Sequence, residues 1–365
     1  MRDAAATPHL NFASDNAGPV HPRIMEALAA ANTGHALPYG ADPWTASAIE
    51  AIRRVFEAPQ AEVILVPSGI GANALALSCC VQPESRVFCS QIAHIEVDEQ
   101  GAVTLASGGA QLELIAHDHG RMKARHLTER LRTMPPAARG ALSLTQVTEA
   151  GTIYPLDDIL ALTRIARDHG LPVHMDGARW SNAVVALGCH PGDMTWRAGV
   201  DVLSLGGTKA GLMGAEAVVF FDPDLARTAK AQQLRMGLNL SKQRFLGAQL
   251  AAWLEGGPQT GLWHALAAEA NAAAATLAAG LSTLRGVDLV HPVEANMVFA
   301  RLPRSMHHDL RRAGAAYMLT DQSAEPQSAE PQSVGSDSEP IGCRLVCDWS
   351  TTTDRIDALL SHLRH

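Results

Sequence analysis

The stretch Leu171-Pro172-Val173-His174-Met175-Asp176-Gly177-Ala178-Arg179 reads as a short buried strand that stops on an acid, a glycine and an arginine. Large apolar residues closed by turn residues suit a strand covered on both faces, and a carboxylate at its carboxyl end points into the crevice where open α/β sheets bind ligands. Alone, Asp176 and Arg179 fit a loop-stabilising ion pair better than a ligand site. Runs of the same kind recur at 62–66, 86–89, 112–115, 141–144, 200–204 and 217–221, with helical patterns between them. The alternation predicts an α/β domain with a mainly parallel seven-stranded sheet.

The helices are marked at their ends. Asp42-Pro43 reads as an N-cap followed by proline at the first helical position, opening a helix that buries Ile49, Ile52, Val55 and Phe56. A second helix spans 156–169, with Leu160, Ile165 and Ala166 as its apolar stripe and Gly170 as its stop. Beyond Asp222 come Ala/Leu-rich helices, strands at 287–290, 297–302 and 344–347, and a terminal helix from Asp354. This predicts a large domain over 1–250 and a smaller α+β domain over 251–365. A polar stretch near 321–340 repeats QSAEP and reads as a mobile surface insertion.

Composition narrows the function. A chain of 365 residues accommodates about two domains. A net charge of −8 with scattered basic residues argues against nucleic acid or an anionic membrane surface as partner. No apolar run reaches the ~18 residues of a membrane span. Six cysteines without a C-x-x-C pair suit a reduced, cytoplasmic setting. The 16 histidines are dispersed without metal-ligand spacing, so no metal is expected, and His307-His308 is assigned to the surface.

Three strand ends carry candidate chemistry. Val66-Pro-Ser-Gly69-Ile70-Gly71-Ala-Asn73 joins a strand to a helix, and its glycines suit either an ordinary turn or an anion cup at the helix N-terminus. The second is the Asp176 segment. The third, Ser204-Leu-Gly-Gly-Thr-Lys209-Ala-Gly211, sets a lysine among small residues; solvated it is a loop lysine, desolvated a Schiff-base nucleophile. Together they supply what pyridoxal phosphate needs, with the phosphate on the helix N-terminus, Asp176 on the pyridine nitrogen and Lys209, 33 positions later, on the aldehyde.

In that order the motifs resemble the fold-type I pyridoxal-phosphate enzymes, and among them the low-specificity L-threonine aldolases of the β-eliminating lyase family. Phe12-Ala-Ser14-Asp-Asn16 is similar to the family's Ser-Asp-Thr or Ser-Asp-Asn motif, and Pro38-Tyr39-Gly-Ala-Asp-Pro43 to its Tyr-Gly-x-Asp-Pro segment. Ala93-His94 resembles its ring-stacking histidine, His174 to Arg179 its His-x-Asp-Gly-Ala-Arg, and Thr208-Lys209 its cofactor lysine. Leu144-Thr-Gln-Val-Thr-Glu149-Ala-Gly and the segment from Ser241 resemble the branch that includes phenylserine aldolases.

The resemblance implies a fold-type I architecture, pyridoxal 5'-phosphate, and cleavage of L-threonine, L-allo-threonine and related β-hydroxy-α-amino acids to glycine and an aldehyde. It implies that Lys209 bonds the cofactor, Asp176 pairs with its ring nitrogen and His94 lies on the ring face. Gly69, Ile70 and Gly71 would bind phosphate through their amides. Ser14, Arg179 and Arg344 would hold the amino-acid carboxylate, with Arg179 also near the ring phenolate. Tyr39 would reach the site across an interface, and Lys242 or Arg244 would lend a neighbouring subunit's cation, which implies a homodimer or homotetramer. Where many family members carry a histidine that meets the substrate hydroxyl, this chain has Glu149. Either Glu149 replaces that contact, or His94 and a water remove the proton; as a residue by itself, Glu149 fits a solvent-facing loop carboxylate equally well. A preference for phenylserine, or β-elimination, racemisation or transamination with the same cofactor, stays open. The gathered Arg179, Arg344 and Lys209 predict a locally cationic pocket.

Overall fold

Pro172 has no N–H to give a sheet ladder, so the strand read first begins one residue later, where Val173 N donates to Asp201 Oδ2 at 2.7 Å. The computed structural model describes residues 10–320 and 340–364. The expected insertion lies outside them apart from Pro340. Seven strands, β1 (Glu62–Val66), β2 (Arg86–Ser90), β3 (Gln111–Ile115), β4 (Arg139–Thr145), β5 (Val173–Gly177), β6 (Val202–Gly206) and β7 (Glu216–Phe220), form one sheet in the order β1-β7-β6-β5-β4-β2-β3. The strand that ends on Asp176 and Gly177 is therefore the central one.

β7 is antiparallel to both neighbours, and the other six strands run one way. Their carboxyl ends thus open on one edge of the sheet, so every turn that leaves β1, β2, β4, β5 or β6 there can contribute to a single site. All five residues of β5 and of β6 are buried. His174 ties the middle of the sheet together, its two ring nitrogens each 2.9 Å from a hydroxyl, Ser143 Oγ on β4 and Ser204 Oγ on β6. Burial holds this imidazole down at a pKa of about 4, so it stays neutral.

The helix Pro43–Val55 starts where expected: the Asp42 carboxylate accepts from Thr45 N at 2.8 Å. The helix Leu156–Asp168 buries Ile159, Leu162, Thr163 and Ala166. Leu160 is 40% exposed, so the expected stripe is corrected to one whose members follow three- and four-residue spacing.

A second, antiparallel sheet contains β8 (Asp288–Leu289), β9 (Met297–Pro303), β10 (Met318–Leu319) and β11 (Pro340–Val346) in the order β8-β9-β11-β10. Leu277 and Leu281 of the helix Leu262–Leu281 and Leu359 of the helix Thr353–Ser361 pack in its core, joined by Leu10 and Phe12 from the start of the chain. Phe12 O accepts from Val346 N at 2.8 Å, which pins the segment bearing Ser14 and Asp15 beside β11, the strand of Arg344. His307 corrects the surface assignment. It is 1% exposed and bonded to the Tyr317 hydroxyl and Ile341 O, while His308 alone is exposed. The six cysteines are unpaired, and no helix among the described residues is long and apolar enough to cross a membrane.

The two turns that matter most to the site are packed together at Gly206, where a Cβ would stand 2.6 Å from both Cα and O of Ala178. Backbone cannot yield as a side chain does. Gly206→Ala is expected to destabilise the protein by about 1–3 kcal/mol, whereas Gly69→Ala, which would meet nothing within 4 Å, changes stability by under about 1 kcal/mol. Equal denaturant midpoints for the two variants would refute this packing.

Candidate active site

The turn after β5 presents Asp176, 4% exposed. Its Oδ1 accepts from Ala178 N at 2.9 Å and its Oδ2 from Asn73 Nδ2 at 2.8 Å. Lys209 follows β6 in a short 3-10 turn whose entry is fixed by Glu216 of β7, which accepts from Gly207 N at 2.9 Å and Thr208 N at 3.3 Å. Among the described residues the Lys209 ammonium has no hydrogen-bond or ion-pair partner. Burial and the charge of Arg179 lower its pKa, against the pull of Asp15, Asp176 and Glu216. A lysine so placed gives up its proton more readily, which a carbonyl-bonding amine requires.

After β1, Ser68 caps the helix Gly69–Cys80, its Oγ accepting from Gly71 N at 3.2 Å. Of the three amides expected to bind phosphate, Gly71's is thereby engaged, and those of Gly69 and Ile70 head the helix as donors for an anion. Asn73, one turn on, links this helix to Asp176.

The turns after β2 and β4 meet. His94 begins a short helix, and its backbone N–H donates to Glu149 Oε1 at 2.6 Å. Glu149 Oε2 is shut off from solvent without a partner, so this side chain is no solvent-facing loop carboxylate. Burial, and then the charge of Asp176, push its carboxyl up to about 7. The His94 side chain is 32% exposed, and its Nδ1 lies 2.8 Å from Oε1 of the fully buried Glu99. That bond raises the histidine's pKa, with burial opposing and Asp176 assisting.

Above the lysine, Arg179 forms a two-pronged ion pair with Asp15, Nε to Oδ2 at 2.6 Å and Nη2 to Oδ1 at 3.0 Å. The Asp15 pKa is lowered despite a large opposing effect of burial, because Arg179 and Lys209 hold its charge and Asn296 Nδ2 donates at 3.1 Å. Arg344 is less engaged: its Nη2 reaches Ala13 O at 3.5 Å, and its buried Nε has no partner. Ser14 Oγ accepts from Asn16 N at 3.1 Å.

The structure thus gathers Lys209, Asp176, His94, Glu149, Arg179, Arg344 and Ser14 around the sheet's carboxyl edge. It does not bring Tyr39 or Lys242 there. Tyr39, 59% exposed, lines a separate cavity of about 300 Å³ with Gly40, Lys230 and Gln243, and its N–H donates to Ser241 O, next to the exposed Lys242. Asp15, Asn73, Glu99 and Glu216 belong to the cluster and were not singled out from the sequence. Two signals were there: Asp15 adjoins Ser14, and Glu99 lies five residues past His94. With these buried carboxylates, the expectation of a simply cationic pocket is corrected to one of interleaved charges. His94, Glu99 and Asp176 offer donor atoms within 4.8 Å of one another, as a metal site would. The Asn73 amide already donates to both carboxylates, however, so their convergence has a hydrogen-bonding cause.

Comparison with known proteins bears on what this arrangement is. The chain matches the family model described as β-eliminating lyase over residues 11–304. It is 36% identical over 357 residues to the low specificity L-threonine aldolase of Pseudomonas sp. (strain NCIMB 10558), covering 97% of this chain and 96% of that protein. With the low specificity L-threonine aldolase of Pseudomonas aeruginosa the identity is 37% over 356 residues, with the same shares covered, 97% and 96%. Among solved structures, a threonine aldolase of Leishmania major superposes with a TM-score of 0.86 at 24% identity, covering 97% of this chain and 98% of that one. A serine palmitoyltransferase of S. paucimobilis solved with PLP superposes with a TM-score of 0.69 at 17% identity, covering 97% and 86%. These likenesses show the fold-type I architecture.

Pyridoxal phosphate is the cofactor these relationships imply, and the residues present fit it. A helix N-terminus with open space at Gly69 suits the phosphate, a buried carboxylate held by two N–H donors suits a protonated ring nitrogen, and a partly desolvated, unpartnered lysine suits the aldehyde.

The raised Glu149 pKa has a consequence for stability. Below its ordinary value near 4.5 the group is protonated in both folded and unfolded chains; from there to about 7 only the unfolded chain releases the proton. Rising pH across that window therefore costs folding stability, and above it the loss is constant. In cofactor-free protein, Glu149→Gln is expected to gain a few degrees of Tm relative to the parent between pH 5 and 7.5. A difference in Tm that does not change with pH would contradict it.

Proposed function

Since the chain belongs to the β-eliminating lyase family, we propose that it is a pyridoxal-phosphate-dependent aldolase that cleaves L-threonine, L-allo-threonine and related β-hydroxy-α-amino acids to glycine and an aldehyde. The observation that carries this reading is Lys209, half-buried and unpartnered among the described residues, in the field of Asp176, Asp15 and Arg179. The names of the two Pseudomonas relatives, both low specificity L-threonine aldolases, support the choice of reaction.

Lys209 would hold the cofactor at its aldehyde, Asp176 at its ring nitrogen, and Gly69 and Ile70 at its phosphate, with His94 on the ring face. When bound, it supplies an electron sink for the pair released as a bond to Cα breaks. Arg344 is the main receiver of the substrate carboxylate, because Asp15 already occupies Nε and one face of Nη2 on Arg179, leaving that guanidinium its Nη1 edge. Ser14 adds a hydroxyl. Fixing the carboxylate orients the Cα–Cβ bond for cleavage. His94 takes the hydroxyl proton as the Cβ carbonyl forms, and its raised pKa keeps it basic enough to do so. Glu149, with a pKa of about 7, sits against His94 as a second proton acceptor. Cα gains a proton to give glycine.

Tyr39 and Lys242 share an exposed surface outside this cluster, which supports a homo-oligomer in which they complete another copy's site. Six unpaired cysteines support a cytoplasmic location.

Incubation with L-threonine separates the reactions: acetaldehyde with glycine is expected, and 2-oxobutyrate with ammonia would point to elimination instead. Lys209→Ala is expected to lower turnover by more than about 10³-fold. Undiminished turnover in that variant would overturn the proposal.

A further inference from the structure

Two side chains with no part in the reaction above stand between Asp176 and His94. The Asn73 amide nitrogen donates to Asp176 Oδ2 and to Glu99 Oε1, each at 2.8 Å. Glu99 Oε1 in turn lies 2.8 Å from His94 Nδ1. The Glu99 side chain is completely buried, and both its Oε2 and Asn73 Oδ1 are enclosed without partners. So buried a carboxylate is costly unless it does something its neighbours require.

The donor inventory constrains the proton positions. The Asn73 NH2 group can only donate, so Glu99 Oε1 is an acceptor on that side. A proton on Oε2 would have no acceptor, which favours the carboxylate with Oε1 accepting twice. The second donor is then the Nδ1–H of His94. Burial raises the Glu99 pKa on balance, over the lowering effect of the bonds from His94 and Asn73, so the carboxylate form rests on the two donors that converge on Oε1. Among the described residues nothing bonds His94 Nε2, the nitrogen on the partly exposed edge of the ring.

We propose that Glu99, held by Asn73, is a positioning residue that locks His94 in the Nδ1–H tautomer and leaves Nε2 as the nitrogen that receives the substrate's hydroxyl proton. The inference rests on the reading of His94 as the base. Asn73 also makes the setting of that base and the placement of Asp176 a single hydrogen-bonded unit, so the group at the ring nitrogen and the group at the reacting hydroxyl are fixed against each other. A carboxylate orients a histidine in this way in the Ser-His-Asp triad, where it holds the imidazole in the tautomer that serves as general base.

Long-range ¹⁵N–¹H correlation spectra of histidine-labelled protein, with and without cofactor, read the tautomer directly. Protonated Nδ1 and unprotonated Nε2 are expected for neutral His94, identified by the signal lost in His94→Gln. In Glu99→Gln the new amide can donate to Nδ1, so the tautomer is expected to switch to Nε2–H and the His94 titration midpoint to fall. The acid limb of the kcat profile should move to lower pH, with kcat down by more than about tenfold and KM little changed. Glu99→Asp is expected to recover part of the loss. An Nε2–H tautomer in the parent protein, or unchanged tautomer and pH profile in a folded Glu99→Gln enzyme, would overturn the proposal. The spectra do not depend on turnover. Undiminished cleavage by His94→Gln would instead overturn the assignment of His94 as base, which separates the two failures.

Discussion

A carboxylate kept almost dry at the end of the central strand sets the terms for everything around it. Asp176 retains its place through two donors, the N–H of Ala178 in its own turn and the Asn73 amide on the helix that follows β1. Removing either would leave a buried acceptor short of a partner, a loss of roughly 1–3 kcal/mol. The position demands a strand covered on both sides, which the parallel arrangement supplies, and a neighbour packed closely enough to exclude water, which Gly206 against Ala178 supplies. The lysine three residues after Gly206 is brought alongside as a consequence of that packing.

The upper part of the cluster is organised by charge pairing. Of two arginines expected to meet a substrate, one is already matched by a buried acid, Asp15, and the other is not. Burial lowers the Arg344 pKa and Arg179 lowers it further, the condition of a cation that lacks its counter-ion. On the proposed reading, the substrate carboxylate would supply that counter-ion without disturbing the Asp15–Arg179 pair. Net charge of the chain, −8, therefore says little about this edge of the sheet, where the buried Asp15, Glu99, Asp176 and Glu216 lie among Lys209, Arg179 and Arg344.

What could be read from the sequence, and what could not, follows from how each feature is encoded. Asp176, Lys209 and the Gly69–Gly71 turn were legible because each sits at the end of an apolar run, and short-range pattern places such ends on one edge of a parallel sheet. All seven strands were legible for the same reason. Asp15 and Asn73 have partners 164 and 103 positions away in the hydrogen bonds that define them, which no local pattern reports, whereas Glu99 pairs with His94 only five positions away. Leu160 was misplaced because two stripes on one helix differ by a single residue, and only the packing partner selects between them. His307 was misread because a charged helix still has one buried face, and the acceptors that satisfy its imidazole, Ile341 O and Tyr317 Oη, come from other elements.

The claim on which the account turns is that Lys209, held between Asp176 and the arginines, is the residue that bonds the cofactor. Borohydride reduction of the cofactor-loaded protein, followed by digestion and mass mapping, tests it most directly. The account predicts a pyridoxyl-phosphate mass retained on the peptide containing Lys209. Retention on Lys123, Lys230 or Lys242, or none at all, would contradict it.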